Sequence, residues 1–316
     1  MTLLLSGKVA LVAGATRGAG RGIAVELGAV GATVYCTGRS TRNSPSSMNR
    51  PETIEETAEL VTRAGGVGIA VRCDHSSEEQ VNSLLEQIKA EQGRLHLLVN
   101  DIWGGEKRIE WGKRFWELDW AQGLALIQQS LFTHMLTSRH AVPLMLETVQ
   151  YGGKGGLVLE ITDGDTDVYR GNLIYDFIKN GVIRLARGMA ADLDGQPLAQ
   201  GGGGVGGSSD AKITVVALTP GFLRSEEMLE AFGVAEENWL EGAKKDPFFA
   251  GSETPHFIGR AVVALACDPK VHAKHGQALA TWHLSREYGF TDVDGRSPHW
   301  LEFFEAEKVR QSALEG

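Results

Sequence analysis

Tyr175 and Lys179 are the two side chains whose types and spacing point most directly to acid–base chemistry. They lie four residues apart in a predicted helix, so both project from the same face. A free tyrosine has a pKa of about 10, which is too high for a good general base at neutral pH. A neighbouring ammonium group favours the phenolate and lowers that pKa. The spacing therefore predicts a tyrosine that exchanges a proton with a bound substrate.

A glycine-rich turn near the amino terminus has the pattern of a phosphate site. Gly14, Gly18 and Gly20 follow an apolar strand pattern and precede a helical one, and Thr16 lies in the same turn. Glycine lets the backbone turn tightly and lets a pyrophosphate approach the amides. The amino terminus of the following helix offers unpaired N–H groups and a positive dipole end. The turn therefore predicts a dinucleotide site, and a tight turn without a ligand is the alternative.

The elements that must position these residues alternate between strands and helices. Short apolar runs predict strands at 8–13, 32–37, 67–72, 95–100, 156–161, 212–218 and 277–282. Helical patterns follow them, including one opened by Pro51 and one long helix from about Asp119 to Leu146. This alternation predicts an α/β fold with a doubly wound parallel sheet.

The chain shows no repeat and no second composition regime, which predicts a single domain with insertions over residues 1–316. Its core covers about residues 6–285, a Gly-rich insertion covers 195–210, and a carboxyl-terminal tail covers 286–316. Gly and Ser at the density found in the insertion predict a flexible loop.

The residues after the second strand indicate which dinucleotide binds. NAD enzymes usually place an acid there for the ribose 2′-hydroxyl, but this sequence has Cys36-Thr-Gly-Arg39. Arg17 in the glycine turn and Arg39 beyond the strand are suited to a 2′-phosphate, because guanidinium pairs with phosphate oxygens through two parallel hydrogen bonds. We therefore expect NADP(H) to be preferred, with NAD(H) as the alternative cofactor.

Five motifs in register resemble the short-chain dehydrogenase/reductase (SDR) family. They are the spacing Gly14-x-x-x-Gly18-x-Gly20, Asp74 after the third strand, Asn100 at the end of the fourth, Tyr175-x-x-x-Lys179, and Pro220-Gly221 with Ser225 beyond it. The resemblance covers roughly residues 6–285. It implies a three-layer, Rossmann-like fold and hydride transfer between NADP(H) and a small-molecule carbonyl/alcohol substrate.

The resemblance also implies roles for individual residues. Tyr175 would act as the general acid/base and Lys179 would hold the nicotinamide ribose. Asp74 would lie near the adenine, and Ser225 would contact the nicotinamide amide. The family is typically dimeric or tetrameric, so a homodimer or homotetramer is expected.

One departure from the family lies where its strand before the active-site helix ends in Ile-Ser-Ser, the second Ser bonding the substrate carbonyl. This sequence reads Ile161-Thr162-Asp163. Adjacent strand residues face opposite ways, so only Thr162 or Asp163 should reach the substrate. We favour Asp163 from the position after Ile161, whereas a count back from Tyr175 gives Thr162. An ionised Asp only accepts hydrogen bonds and would repel an oxyanion, so it would alter substrate choice.

A second departure lies in the long helix. Aligning residues 141–145 with the family pattern places Ser130 where a catalytic Asn usually holds a water on a proton relay. The Ser130 hydroxyl could bind that water, although with fewer groups than an amide. A small residue at a helix contact is the equally weighted alternative.

Composition excludes several other classes of protein. With 31 Lys and Arg against 40 Asp and Glu, the net charge is −9, so no nucleic-acid partner is expected. No apolar run approaches the roughly 20 residues of a membrane span, so no membrane partner is expected. Three scattered cysteines indicate neither a disulfide scaffold nor a zinc cluster, no metal site is predicted, and a cytoplasmic location is expected.

The sequence thus predicts an NADP(H)-preferring oxidoreductase. The alternative is an NADP(H)-binding sensor or scaffold with little or no turnover, which the altered Ser and Asn positions favour and the intact Tyr175/Lys179 pair disfavours.

Overall fold

The strands assemble into one parallel sheet in the computed structural model, which describes residues 3–45, 50–152, 155–166, 168–195 and 212–315. The strands are β1 (Val9–Ala13), β2 (Thr33–Gly38), β3 (Val67–Arg72), β4 (Leu97–Asn100), β5 (Gly156–Ile161), β6 (Ile213–Thr219) and β7 (Ala278–Ala280). Their order is β3-β2-β1-β4-β5-β6-β7. The order reverses between β1 and β4, and such a point opens a crevice at the carboxyl ends of the strands.

Helices cover both faces of this sheet and give three layers. They are α1 (Gly18–Ala29), α2 (Ile54–Ala64), α3 (Glu78–Gln92), α4 (Trp120–Ile127), α5 (Thr133–Gly152), α6 (Leu173–Leu193), α7 (Glu226–Phe232), α8 (Pro255–Cys267), α9 (Thr281–Tyr288) and α10 (Trp300–Glu315). Apolar side chains of α1 and α8 pack on one face, and those of α3, α5 and α6 pack on the other. The predicted doubly wound, Rossmann-like sheet in one domain is therefore confirmed.

Burial on both faces explains why the central strands are continuous apolar runs. Every residue of β1, β4, β5 and β6 is buried, whereas β3 at the sheet edge is partly exposed. Removing each apolar side chain from water contributes about 1.5–3 kcal/mol, so the sheet is a rigid platform for whatever its carboxyl edge carries. None of the described helices combines the length and the apolar composition needed to cross a membrane.

The start of α2 differs from the prediction that Pro51 opens it. The helix begins at Ile54, and Thr53 is its N-cap, with a side chain that accepts a hydrogen bond from the Glu56 N–H. A threonine hydroxyl satisfies one of the unpaired amides of the first turn, which a proline ring cannot do. Capping chemistry therefore outweighs the preference of proline for a first helical position.

The long helix expected from Asp119 to Leu146 is interrupted. A π-helical turn at Gln128–Phe132 separates α4 from α5. The Thr133 hydroxyl, at the first residue of α5, donates a hydrogen bond of 2.7 Å to the Gln129 carbonyl of this irregular turn. π-Turns occur frequently at functional sites, and this one lies beside the crevice.

The carboxyl-terminal part also differs from expectation. The seventh strand is confined to Ala278–Ala280, and α9 begins at the next residue. The tail carries α10, whose Trp300 contacts Phe222 with ring centroids 5.7 Å apart. The Gly-rich insertion predicted at 195–210 lies outside the described residues except for Gly195.

Candidate active site

A cavity of about 570 Å³ lies along the carboxyl ends of the strands, where the strand order reverses. It brings together most of the residues that the sequence singled out. Those in its lining are Gly14, Thr16, Arg17, Arg39, Asp74, Thr162, Asp163, Tyr175, Lys179, Pro220, Gly221 and Ser225. Gly18, Gly20, Asn100 and Ser130 are buried and are not part of this lining. Six separate segments of the chain therefore converge on one site.

The glycine turn is too tight for side chains at two positions. A Cβ on Gly14, whose φ is +94°, would lie 2.2 Å from the Asp101 carbonyl oxygen. A Cβ on Gly20 would lie 2.3 Å from the Gly14 carbonyl oxygen. Both distances are far shorter than any carbon–oxygen contact, so the turn can exist in this form only with glycine.

The same turn binds an anionic oxygen from within the chain. The Gly18 N–H, at the start of α1, donates a hydrogen bond of 2.7 Å to Glu226 Oε2 at the start of α7. Arg21 Nη1 lies 3.7 Å from the other oxygen of that carboxylate. A carboxylate and a phosphate offer similar oxygens to an N–H group, so this turn fits the pyrophosphate of a dinucleotide.

Replacing Gly20 by alanine is expected to weaken NADPH binding. The added methyl group forces the Gly14 carbonyl to move, at a strain of about 1–3 kcal/mol or about 5–150-fold in Kd. Titration through nicotinamide fluorescence measures the change. Gly188→Ala is the matched control, because its Cβ would meet nothing within 4 Å on α6. Equal affinity in the two variants would contradict the importance of this turn.

Positive charge gathers at the end of the cavity formed by β2 and β3. Arg17, Arg39 and Arg72 all line it, and Arg39 is exposed. Arg72 was missed by the sequence analysis, because the end of β3 looked like an ordinary polar strand terminus. Burial opposes ionisation of Asp74, but hydrogen bonds from Ser76 and the charge of Arg39 hold the pKa of that carboxyl below its usual value. The region thus offers three cations and one ionised acceptor.

The position of Tyr175 is set by the start of α6. The Asn172 side chain is the N-cap and accepts hydrogen bonds from the Ile174 and Tyr175 N–H groups at 3.0 and 3.1 Å. This fixes the first turn, from which Tyr175 and, one turn later, Lys179 both reach the cavity. The predicted shared face of the two side chains is therefore present.

The side chains of Thr162 and Asp163, which follow β5, have different hydrogen-bond partners. The Thr162 hydroxyl donates a 2.7 Å hydrogen bond to the Lys179 backbone carbonyl and so points at the helix. Asp163 turns toward the tyrosine, and its Oδ2 accepts a 2.6 Å hydrogen bond from the Tyr175 hydroxyl. Asp163 is therefore the residue of the two that bonds the Tyr175 hydroxyl, although both residues line the cavity.

Aromatic rings surround Tyr175. Trp103 contacts it edge-on at 5.6 Å between ring centroids, and Trp111 contacts it at 5.3 Å. The Lys179 ammonium lies 4.1 Å from the Trp103 ring centre, a cation–π distance. Phe222 and Met228 line the same cavity from the segment after β6. This end of the cavity therefore combines the Lys179 ammonium and the Tyr175 hydroxyl with broad apolar walls.

Asn100 and Ser130 occupy buried positions behind the cavity. The Asn100 side chain donates hydrogen bonds to Ser138 Oγ and Glu160 Oε1, at 2.9 and 2.8 Å, and so holds the end of β4. Ser130 is 1% exposed within the π-turn, and among the described residues its hydroxyl has no hydrogen-bond partner. An unsatisfied buried hydroxyl is costly, which is consistent with the predicted water. Gln129 and Thr133, its neighbours, line the cavity.

A buried Glu–His pair below the cavity was missed. Glu160, the next-to-last residue of the apolar strand β5, is fully buried, and its Oε2 lies 2.7 Å from His134 Nδ1. The other ring nitrogen of His134 lies 3.1 Å from the Ile102 carbonyl oxygen. The pair therefore supports the loop that carries Trp103. A charged residue inside an otherwise apolar strand was the sequence feature that could have indicated it.

Glu253 is a second buried acid that the sequence did not reveal. Its Oε2 accepts hydrogen bonds from the Gly221 N–H at 2.9 Å and from the Thr281 hydroxyl at 2.8 Å. Burial raises the pKa of Glu253 from 4.5 to about 8, although these hydrogen bonds and Arg224 act in the opposite direction. Glu253 thus links the Pro220-Gly221 turn of the cavity to α9.

Replacing Glu253 by glutamine is expected to change how stability depends on pH. Because the folded-state pKa lies above the ordinary one, protonation stabilises the fold fully below about pH 4.5, and this contribution is lost as the pH rises through about 8. As the pH rises from about 4.5 to about 8, the melting temperature of the wild type should therefore fall relative to that of Glu253→Gln. Glu305→Gln, at an exposed position, is the control. Parallel curves for wild type and Glu253→Gln would show that Glu253 does not titrate there.

Comparisons with known proteins agree with this geometry. The family described as Enoyl-(Acyl carrier protein) reductase matches residues 14–198. Dehydrogenase/reductase SDR family member 1 of Mus musculus is 34% identical over 302 residues, covering 94% of this chain and 86% of its own. The 7alpha-hydroxysteroid dehydrogenase of Escherichia coli K12 is 27% identical over 192 residues, which are 60% of this chain and 67% of its own.

A solved structure shares the fold. The short chain dehydrogenase of Mycobacterium thermoresistibile superposes with a TM-score of 0.73 at 20% identity, covering 94% of this chain and 92% of the other. The sheet and its flanking helices are therefore of a type already seen in crystals.

Proposed function

Because this chain belongs to the short-chain dehydrogenase/reductase family, whose oxidoreductases use NAD(P) and act on CH–OH and C=O groups, we propose that it is an NADP(H)-preferring member with Tyr175 as general acid/base. The observation that carries the proposal is the placement of Tyr175 and Lys179 in the cavity that the glycine turn and three arginines also line.

The residues that would hold the dinucleotide follow the cavity from end to end. Arg17 and Arg39 would pair with the 2′-phosphate, and Asp74 would lie near the adenine. The N–H groups of the glycine turn would bind the pyrophosphate, with displacement of Glu226 from Gly18. At the far end, Ser225 and the Pro220-Gly221 turn would meet the nicotinamide. Bound there, the nicotinamide supplies or takes the hydride.

The proton is handled by the chain itself. Tyr175 would give a proton to the forming alkoxide during carbonyl reduction and take one during alcohol oxidation. Lys179 would hold the ribose and favour the ionised tyrosine. Thr162 would keep the α6 backbone in register through its bond to the Lys179 carbonyl, and Ser130 would bind a water behind the site.

The shape of the cavity favours a bulky apolar substrate. Trp103 and Phe222 face the same space as Tyr175, and Trp111 packs on the tyrosine ring. Large aromatic walls bind flat apolar rings through area and edge contacts. The name of the 7alpha-hydroxysteroid dehydrogenase among the relatives is consistent with this class of substrate.

Titration of the purified protein with NADPH and NADH tests the proposal. We expect tighter binding of NADPH, followed through nicotinamide fluorescence, and substrate-dependent oxidation when bulky ketones are added to the same cuvettes. Comparable affinity for both cofactors would contradict the preference. Tight NADPH binding without turnover across a broad ketone and alcohol panel would favour a sensor or scaffold instead.

Exposed apolar side chains on the outer helices lead us to expect a homodimer or homotetramer. Phe132, Met135 and Phe177 are 51–54% exposed on neighbouring elements, an unusual density of apolar surface. Light scattering after size exclusion should give a mass above 34.1 kDa, and Phe177→Glu should shift it toward the monomer. Val309→Glu, 72% exposed on α10, is the control. A monomeric wild type would contradict this assembly.

A further inference from the structure

In the hydrogen bond between Tyr175 and Asp163, the hydroxyl proton of the tyrosine points at the carboxylate. A phenol carries one proton and an ionised carboxylate carries none, so the tyrosine must be the donor in the 2.6 Å contact. The distance lies in the range of charge-assisted O–H···O⁻ bonds. In this arrangement the phenol oxygen keeps its lone pairs, with which it can accept a hydrogen bond from a substrate hydroxyl.

The same contact makes an isolated tyrosinate unfavourable. Loss of the Tyr175 proton to solvent would leave two negative groups at hydrogen-bond distance, and like charges that close oppose ionisation. Lys179 acts in the opposite direction, because its ammonium lies 5.5 Å from the tyrosine ring centre and favours negative charge nearby. Transfer of the proton from Tyr175 to Asp163 instead leaves a single negative charge in the pair.

We propose, resting on the proposed function, that Asp163 is a catalytic residue. It is the final acceptor of the proton that alcohol oxidation releases, and it receives that proton through Tyr175. During alcohol oxidation the substrate O–H proton moves to Tyr175 Oη, and the tyrosine's own proton moves to Asp163 Oδ2. A hydride leaves the substrate carbon that bears this hydroxyl and passes to the oxidised cofactor. Alcohol, carboxylate and oxidised cofactor thus become carbonyl, carboxylic acid and reduced cofactor. Reduction runs the same transfers backward, starting from protonated Asp163.

The surroundings of the pair permit this exchange. Asp163 is partly exposed in the cavity lining, so its proton can pass to water there. Lys179 on α6 lies close to the tyrosine ring, and the Arg170 guanidinium lies against Gly164, next to Asp163, where it is bound to Asp176 at 3.1 Å. Since Arg170 already has a carboxylate partner, Asp163 keeps its hydrogen bond to Tyr175.

The first test needs neither substrate nor cofactor. Phenolate absorbance of Tyr175 is taken as the difference between each protein and its Tyr175→Phe version during titration from about pH 7 to 11. Asp163→Asn keeps the shape and removes the charge, so Tyr175 should ionise at least about one pH unit lower than in the wild type. Asp165→Asn, a neighbouring acid, should match the wild type. Coinciding curves for wild type and Asp163→Asn would overturn the proposal.

The second test follows the proton during turnover of 1-(2-naphthyl)ethanol. In Asp163→Asn, oxidation should require ionised Tyr175, so kcat/KM should rise about tenfold per pH unit between about pH 7 and 9. The wild type should stay nearly flat over that range. Equal slopes would overturn a proton-accepting role. Absence of turnover in both proteins would count against the proposed function, while the spectral titration would still decide the coupling.

Discussion

Replacement of Tyr175 by phenylalanine is expected to lower kcat by about 10²–10⁴-fold, the usual loss when a positioned general acid/base is removed. The ring would remain between Trp103 and Trp111, because only the hydroxyl that bonds Asp163 is deleted. Binding of NADPH should therefore change little. Steady-state turnover and fluorescence titration of the same preparation measure the two effects separately.

The matched control for this variant is Tyr169→Phe. Tyr169 lies six residues earlier and is 60% exposed, so removal of its hydroxyl should leave turnover unchanged. If Tyr175→Phe retained full activity, the proton would have to come from another group of the cavity. If it lost NADPH binding together with activity, the change would be structural.

The second large effect is expected at the arginines of the adenosine end. Combined Arg17→Ala and Arg39→Ala replacement should raise the Kd for NADPH by about 10–100-fold. This estimate follows because a hydrogen bond to a charged group contributes about 1.5–3 kcal/mol. Affinity for NADH, which lacks the 2′-phosphate, should stay within about twofold. Parallel titrations with both cofactors give the ratio directly.

Arg42→Ala provides the control for charge. Arg42 lies in the same loop but pairs with Glu59 at 2.6 Å and is not part of the cavity lining. Loss of the Arg42 charge changes the net charge of the protein without altering the cavity, so the ratio of the affinities for NADPH and NADH should not change. A ratio lowered equally by Arg42→Ala would indicate a general electrostatic effect instead of phosphate recognition.

Several elements could be predicted to the residue because local chemistry marks both of their ends. α3 runs from Glu78 to Gln92 as expected, since the Ser77 side chain caps its first turn and Gly93 ends it in the left-handed region. α8 begins at Pro255 after the Thr254 cap. Where cap, proline and glycine agree with the apolar period, the boundary follows from the sequence.

Other boundaries depend on contacts that the sequence does not display. The π-turn at Gln128–Phe132 preserves the helical pattern around it, so periodicity alone predicts one continuous helix. Trp300 of α10 packs on Phe222, a residue distant in sequence. The sequence of the carboxyl-terminal tail alone does not show which residue its aromatic side chains contact.

In the candidate site, too, some residues could be predicted from the sequence and others could not. The motif order predicted the residues that meet in the cavity, because the carboxyl ends of parallel strands share one edge. It could not decide firmly between Thr162 and Asp163, since one residue of register reverses the side-chain direction. Glu253 and the Glu160–His134 pair were missed, because their bonding partners come from distant segments.

Transfer of deuterium is the most direct test of hydride transfer by this protein. The protein would be incubated with 2-acetonaphthone and NADPH deuterated at the transferring position of nicotinamide C4, and the product alcohol analysed by mass spectrometry. We expect an alcohol with one deuterium on the carbinol carbon, formed at least about 10²-fold more slowly by Tyr175→Phe. Tight NADPH binding without any labelled alcohol, from this ketone or from a broad panel, would contradict an oxidoreductase and support a sensor.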